Sequence, residues 1–261
     1  MHQLKTNTLI QHGYIIRIAD IVTRPENKTM TDFQSLNNLT VNYQAVKAQL
    51  SSACQASARQ NESVCLLAVS KKHSMESIKH IHSLGQAAFG ENYVQEGVDK
   101  VQALADLNIQ WHFIGPIQSN KSRLVAEHFD WVHTIDRLKI AQRLNEQRPQ
   151  HFAPLNVLIQ VNISQQASKS GITLAEVDGL ASAISDMGQL TLKGLMCIPA
   201  PQDETQLAQD FERMQTAFTL LQNRYPQVDT LSMGMSADYR EAIAEGSTMI
   251  RIGTDIFGQR Q

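Results

Sequence analysis

Leu66-Leu67-Ala68-Val69-Ser70-Lys71-Lys72 is the stretch on which the reading of the chain turns. An apolar run beginning at Val64 has the character of a strand buried on both faces, and it ends abruptly in a serine and two lysines. A cation therefore stands where a parallel strand meets its exit loop, the place where α/β proteins concentrate their chemistry. Partly desolvated by the sheet and repelled by the adjacent Lys72, Lys71 would hold its proton less tightly and offer a neutral amine for Schiff-base formation. Taken alone, the two lysines read more simply as solvated residues closing a strand, so the pattern around them decides.

Working outward, strands and helices alternate with regularity. Ser74 can cap a helix over 75–84 that Gly85 stops, and a strand follows over 87–92. Further strands are predicted over 109–115, 131–136, 155–162, 190–198, 230–234 and 249–254. Helices are predicted between them over 93–104, 119–128, 137–147, 204–224 and 237–245, with another starting at the Thr173 cap and its Glu176 capping box. Eight strands joined by helical crossovers make the expected fold α/β, a single (β/α)₈ TIM-type barrel with an additional N-terminal helix. That helix begins near Asp32 with Leu36, Leu39, Val41, Tyr43, Val46 and Leu50 near helical spacing, and is expected to cover the wall left bare after the eighth strand. A doubly wound open sheet is the alternative, but no G-x-G-x-x-G follows the first strand. Residues 1–29 read differently, with a polar start and the breaker cluster Arg24-Pro25-Glu26-Asn27-Lys28. They are expected to be a poorly ordered extension ahead of a domain over 30–261, with Met30 as the natural start.

Composition excludes several classes. In 261 residues, 42% are hydrophobic and 18% charged, and the formal net charge is -2, so nothing suggests a nucleic-acid partner. No apolar run approaches the length of a membrane span, and the N-terminus is too polar for a signal peptide. The three cysteines Cys54, Cys65 and Cys197 lack paired spacing or a nearby histidine cluster, which argues against a disulfide framework or a zinc site and for a cytoplasmic setting. A monomer is expected.

In such a barrel the functional face is the ring of strand C-termini, with a phosphate commonly held after strands seven and eight. Gly234-Met235-Ser236 and Gly253-Thr254 fall there and read together as a phosphate cradle. Asn92, His112, Asn162 and Arg251 add polar groups at or near strand ends, and an arginine beside a ring nitrogen would keep that nitrogen unprotonated. A lysine on strand one, a phosphate cradle opposite and a polar ring between them match an aldehyde cofactor bearing a phosphate, pyridoxal 5′-phosphate (PLP).

Several blocks closely resemble the pyridoxal phosphate homeostasis proteins: Leu66-Leu67-Ala68-Val69-Ser70-Lys71, Phe89-Gly90-Glu91-Asn92-Tyr93-Val94-Gln95-Glu96, Trp111-His112-Phe113-Ile114-Gly115-Pro116-Ile117-Gln118-Ser119-Asn120-Lys121, Gly194-Leu195-Met196, Ser232-Met233-Gly234-Met235-Ser236 and Arg251-Ile252-Gly253-Thr254. The resemblance runs from about Met30 to the C-terminus. It implies a barrel related to the N-terminal domain of alanine racemase, PLP on Lys71, its phosphate around Ser236, Gly253 and Thr254, and Arg251 near the pyridine nitrogen. Ala237 and Tyr239-Arg240 depart from the acidic and apolar residues expected after Gly-Met-Ser, and the first residues have no family counterpart. Members of that family are not known as efficient enzymes; they keep free PLP low and supply it. The expected function is thus PLP storage and delivery to PLP-dependent apoenzymes, with an amino-acid racemase as the alternative. Two-base racemisation needs a second acid/base group, for which Tyr239 and His112 are the candidates. Lys72, Lys121 and Lys169 are further cations near the predicted mouth.

Overall fold

In the computed structural model, which describes residues 30–200 and 203–259, β1 (Cys65–Val69) carries the organising stretch and pairs on both sides. One neighbour is β2 (Ala88–Glu91); the other is β8 (Met249–Ile252), with Cys65 opposite Met249 and Ala68 opposite Ile252. Between them follow β3 (Gln110–Phe113), β4 (Trp131–Ile135), β5 (Leu155–Val161), β6 (Leu190–Cys197) and β7 (Thr230–Ser232). All pairings are parallel and the ring closes in sequence order, so the expected barrel is the observed one and the open sheet is excluded.

Helices α1 (Met30–Ala56), α2 (Met75–Ser83), α3 (Val94–Ala103), α4 (Ser122–His128), α5 (Leu138–Gln147), α6 (Val177–Ser185), α7 (Glu204–Arg224), α8 (Tyr239–Ala244) and α9 (Thr254–Phe257) flank the strands. Local chemistry sets their ends. Ser74 Oγ accepts the Ser77 N–H to start α2, and Asp203 accepts the Gln206 N–H to start α7. The Thr173–Glu176 capping box is present, but it opens a 3₁₀ turn over Leu174–Glu176 ahead of α6. Helix α4 starts three residues later than its sequence pattern predicts, because Lys121 N–H donates to Gln118 O and the chain turns there first.

The compact unit beginning at Leu36 includes most of α1. Leu39, Tyr43, Val46, Leu50 and Ala53 are buried along that helix, whereas Val41, expected on the same face, is 56% exposed. Asn42 Nδ2 donates to Ile256 O in α9, and Tyr239 OH of α8 donates to Gln49 Oε1. Helix α1 thus lies where a long eighth helix would sit, as expected; α9 is a single turn. The expectations for residues 1–29 lie outside the described residues.

The main core lies between strands and helices, around Phe89, Phe113, Phe129 and Phe211. The barrel interior is filled differently: two small apolar groups, Leu67–Ala88–Met249 and Trp131–Leu158–Met196, share it with the fully buried polar side chains of His112, His133 and Ser232. No helix among the described residues is long and apolar enough to cross a membrane. The described cysteines are free, and no group of His, Cys, Asp and Glu among the described residues could hold a metal ion.

One glycine is indispensable to the closure. The register between β5 and β6 shifts after Val157–Leu192, so Lys193 bulges and Gly194 faces Leu158 at φ 146°. A Cβ there would stand 1.9 Å from Thr230 O, the backbone of the next strand. Gly194→Ala is expected to destabilise the barrel by about 3 kcal/mol or more. Urea unfolding monitored by circular dichroism checks this.

Candidate functional site

Lys71 leaves β1 half-buried, between two residues tied to the structure beneath it. Ser70 is fully buried; its Oγ donates to Glu91 Oε1 at 2.6 Å and its carbonyl accepts from Lys100 Nζ at 2.8 Å. Lys100 Nζ also pairs with Glu91 and Glu96 at 2.8 and 2.7 Å, and Glu96 accepts the backbone N–H of Lys72. Lys72 takes φ 63°, left-handed for a residue with a side chain, and Glu96 helps to hold that turn. Its ammonium lies over the Tyr93 ring, 5.8 Å from the centroid, an arrangement that β1 alone did not predict.

Lys71 opens into a cleft of about 320 Å³ at the C-terminal ends of the strands, at the small end for a ligand pocket. Asn92, Met235, Ser236, Arg251, Gly253 and Thr254 line the same cleft, so the first strand's lysine and the two glycine-bearing loops are brought together. Asn92 Oδ1 is buried without a hydrogen-bond partner among the described residues. Its backbone is pressed by Gly115, where a Cβ would stand 2.0 Å from Asn92 O; the Ile114-Gly115-Pro116 loop thereby packs against the cleft wall. The N–H groups of Ser236 and Thr254 have no acceptor among the described residues, whereas Met235 N–H donates to Asp238 Oδ1 at 2.6 Å. Burial raises the Asp238 carboxyl, against the opposing pull of this N–H and Arg251.

Two expected residues are not in the lining. His112 is fully buried inside β3, where its Nδ1 meets His133 Nε2 at 2.9 Å, its Nε2 meets Gln110 Oε1 at 3.0 Å and its ring stacks on Trp131. Side chains on one face of a strand are two residues apart, so the place at the cleft belongs to Ile114 and His112 lies one layer below. Asn162 is drawn into its own loop: Nδ2 donates to Gln166 O and Lys169 O at 2.8 and 3.2 Å. Lys169 is tethered to the backbone after β6, donating to Ile198 O and Pro199 O, and Lys121 lines a neighbouring pocket that shares Asn92 with the cleft.

Arg251 contributes an almost fully buried guanidinium, 5% exposed. Nη1 donates to Ser232 O at 2.8 Å and Ser232 Oγ at 2.7 Å, and Nη2 to Cys197 O at 2.8 Å. Burial opposes its charge, while the nearby Cys197 and Asp238 favour it. Among the described residues it makes no ion pair, with Asp255 or any other carboxylate.

Residues 41–261 match the family described as alanine racemase, N-terminal domain. The pyridoxal phosphate homeostasis protein of Escherichia coli K12 is 55% identical over 231 residues, covering 86% of this chain and 98% of the relative. That of Vibrio alginolyticus is 57% identical, covering 86% and 99%. This chain belongs to the pyridoxal phosphate homeostasis protein family. PipY of Synechococcus elongatus, in a structure with PLP bound, superposes with a TM-score of 0.70 at 35% identity, covering 81% of this chain and 100% of PipY.

Sequence reasoning missed several parts of this homeostasis-family cleft. Val69, Ile114, Met196 and Ile198 supply its apolar wall, legible only once the register of each strand is known. The Glu91–Lys100–Glu96 cluster was hidden because its members are divided between one strand and the following helix, and nothing in the predicted strand over 87–92 marks Glu91 as a buried, paired carboxylate. Desolvation raises the Glu91 carboxyl, with Lys100 opposing. His133 was the most discoverable omission, since Trp131 and His133 alternate onto one face of β4 just as Gln110 and His112 do on β3.

The two histidines make a testable contribution to acid stability. Burial pushes His112 down to about 3 from an ordinary 6.5, and His133 is also held well below that value, by burial first and then by His112 and Arg251. The unfolded chain protonates them as pH falls below 6.5 while the native barrel does not, so their stabilisation is present above 6.5 and is lost toward 3. Glu91, Asp130 and Asp238, raised by burial, act in the opposite sense. The difference between variants is therefore diagnostic: between pH 6.5 and 4, His112→Gln is expected to flatten the fall in stability by about 1 kcal/mol per pH unit. Urea titrations at stepped pH measure it; identical slopes would remove His112 as a cause.

Proposed function

We propose that this chain binds pyridoxal 5′-phosphate in the cleft, on Lys71, and takes part in holding and supplying that cofactor without efficient turnover of its own. The observation that carries the reading is the convergence, in one cleft, of a half-buried lysine, free N–H donors at Ser236 and Thr254, and an arginine lacking an anionic partner among the described residues. That donor set fits a phosphorylated aldehyde. Ser236 and Thr254, with their hydroxyls and backbone N–H groups, would hold the phosphate where Gly253 keeps the backbone close to Val69. Arg251, which has donors only, would face the ring nitrogen and favour its unprotonated form. Bound there, that group would supply a carbonyl within reach of the Lys71 amine and an aromatic ring that withdraws electrons. The names of the homeostasis relatives and the PLP held by PipY support the same reading.

The position of the two candidate second bases favours a carrier over a racemase. His112 is sealed one layer below the cleft, and Tyr239 is buried with its hydroxyl donating to Gln49 on α1 at 3.0 Å. Neither lines the cleft. Residues that bind and orient are present; the two-sided proton transfer of racemisation has no evident pair of groups. We take the carrier to act as a cytoplasmic monomer that passes PLP to PLP-dependent apoenzymes. Its exposed large apolar side chains include Val41 on α1, Leu138 on α5, Leu220 on α7 and Phe152 in the loop before β5.

Purified protein mixed with PLP is expected to show an absorption band near the visible edge that Lys71→Ala lacks, and the variant should retain the cofactor at least about tenfold less well through desalting, 1.4 kcal/mol or more. L-alanine added to the loaded wild type should yield no D-alanine in a chiral assay. Lysine-dependent formation of D-alanine would replace the carrier reading with the racemase, and absence of the band in wild type would refute the site.

A further inference from the structure

Beneath the cleft, hydrogen bonds run across the barrel interior from one wall to the other. Arg251 Nη1 on β8 reaches Ser232 Oγ on β7 at 2.7 Å; Ser232 Oγ lies 3.3 Å from His133 Nδ1 on β4; His133 Nε2 lies 2.9 Å from His112 Nδ1 on β3; His112 Nε2 lies 3.0 Å from Gln110 Oε1. Ser232, His133 and His112 are completely buried, and only Gln110, at the opposite end of the barrel from the cleft, is exposed.

The two ends dictate the proton order. A guanidinium only donates and an amide oxygen only accepts, while a neutral imidazole donates once and accepts once. Gln110 Oε1 therefore requires the His112 proton on Nε2, which leaves His112 Nδ1 to accept from His133 Nε2–H. His133 Nδ1 must then accept from the Ser232 hydroxyl, whose oxygen lone pairs are left for Arg251. Every contact is satisfied in one direction, from the arginine down to Gln110. Asp238, whose charge acts on Arg251, is engaged with Met235 N–H and makes no ion pair with it. After the bonds to Ser232 and Cys197, the Nε–H and one Nη2–H of Arg251 remain uncommitted at the cleft.

We propose that His133 and His112 are positioning residues for the cleft: acting through the Ser232 hydroxyl, they fix the Arg251 guanidinium where a carboxylate would otherwise stand, and leave its charge and free edge directed at the ring nitrogen of the bound cofactor. A carboxylate would hold the arginine equally well but would satisfy that edge and offset its charge. Neutral acceptors hold it by hydrogen bonds that leave its net charge uncompensated. The part played toward the cofactor rests on the PLP reading above; the proton order does not.

The test separates the two. Long-range proton–nitrogen correlation spectra of ¹⁵N-labelled full-length protein at neutral pH, without added cofactor, should show His112 and His133 both neutral with the proton on Nε2. An Nδ1–H tautomer or an imidazolium at either overturns the chain. Titration with PLP then compares His133→Gln, whose amide can accept from Ser232 and donate to His112, with His133→Leu, which can do neither. Loss of a hydrogen bond supporting a buried charge is expected to weaken PLP retention about 10- to 100-fold in His133→Leu and to move its absorption band, while His133→Gln stays within about threefold of wild type. Ser232→Ala, which deletes a single oxygen, should follow His133→Leu and serves if the leucine variant does not fold. Wild-type retention and band in the folded His133→Leu or Ser232→Ala protein, or equal loss in the glutamine and leucine variants, overturns the positioning role. Failure of wild type itself to take up PLP refutes the cofactor reading and with it this role, while the tautomer spectra still decide the chain.

Discussion

The pairing of β1 with β8 is the constraint on which the rest depends. It joins the beginning of the barrel to its end, more than 180 residues later in the chain, and sets Leu67 opposite Arg251 and Ala68 opposite Ile252. Lys71 and the Gly253–Thr254 loop share a cleft only because that register holds. The interaction is non-local, so nothing in the sequence near Lys71 specifies what will face it; the eight repeated crossovers do. Helix α1, tied through Asn42 and Gln49 to the last two helices, covers the seam from outside.

The same closure creates an unusual interior. A barrel of this size is normally filled by stacked layers of branched apolar side chains. Here Leu67, Ala88 and Met249 fill one part and Trp131, Leu158 and Met196 another, and the remaining space is polar. Burying histidines, a serine and an arginine has a desolvation cost that the hydrogen bonds linking them offset. Those bonds tie the order of the interior to the order of the cleft, since the arginine at the top belongs to both.

Much of the fold was legible because its signals are local and repeated. Apolar runs of strand length recur eight times, punctuated in places by a serine or threonine cap or a glycine stop, and each observed strand lies within its expected span. That the two glycine-bearing loops would share one cleft was legible for a related reason: each follows a strand end on the same rim of the expected barrel. What escaped was depth. Alternation says which face His112 occupies but not how far along the barrel axis it sits, and the parallel register with β2 places it opposite Gly90, below Asn92. Asn162 escaped through competition, because its amide is better satisfied by the loop carbonyls of Gln166 and Lys169 than by the cleft. The Glu91–Lys100 ion pair was invisible for want of any pattern linking a helix lysine to a carboxylate in the preceding strand, whereas Glu96 and Lys100 stand at i,i+4 on one helix.

The packing of Trp131 has an optical consequence. Its indole stacks on His112 from within the barrel and belongs to the same apolar group as Met196, which itself lines the cleft. A fluorophore thus stands one side chain away from whatever the cleft holds, while the chain's other tryptophan, Trp111, lies in the core between strands and helices. A guest that absorbs where indole emits would dim Trp131 by energy transfer, giving the protein a built-in gauge of its own occupancy that needs no added dye.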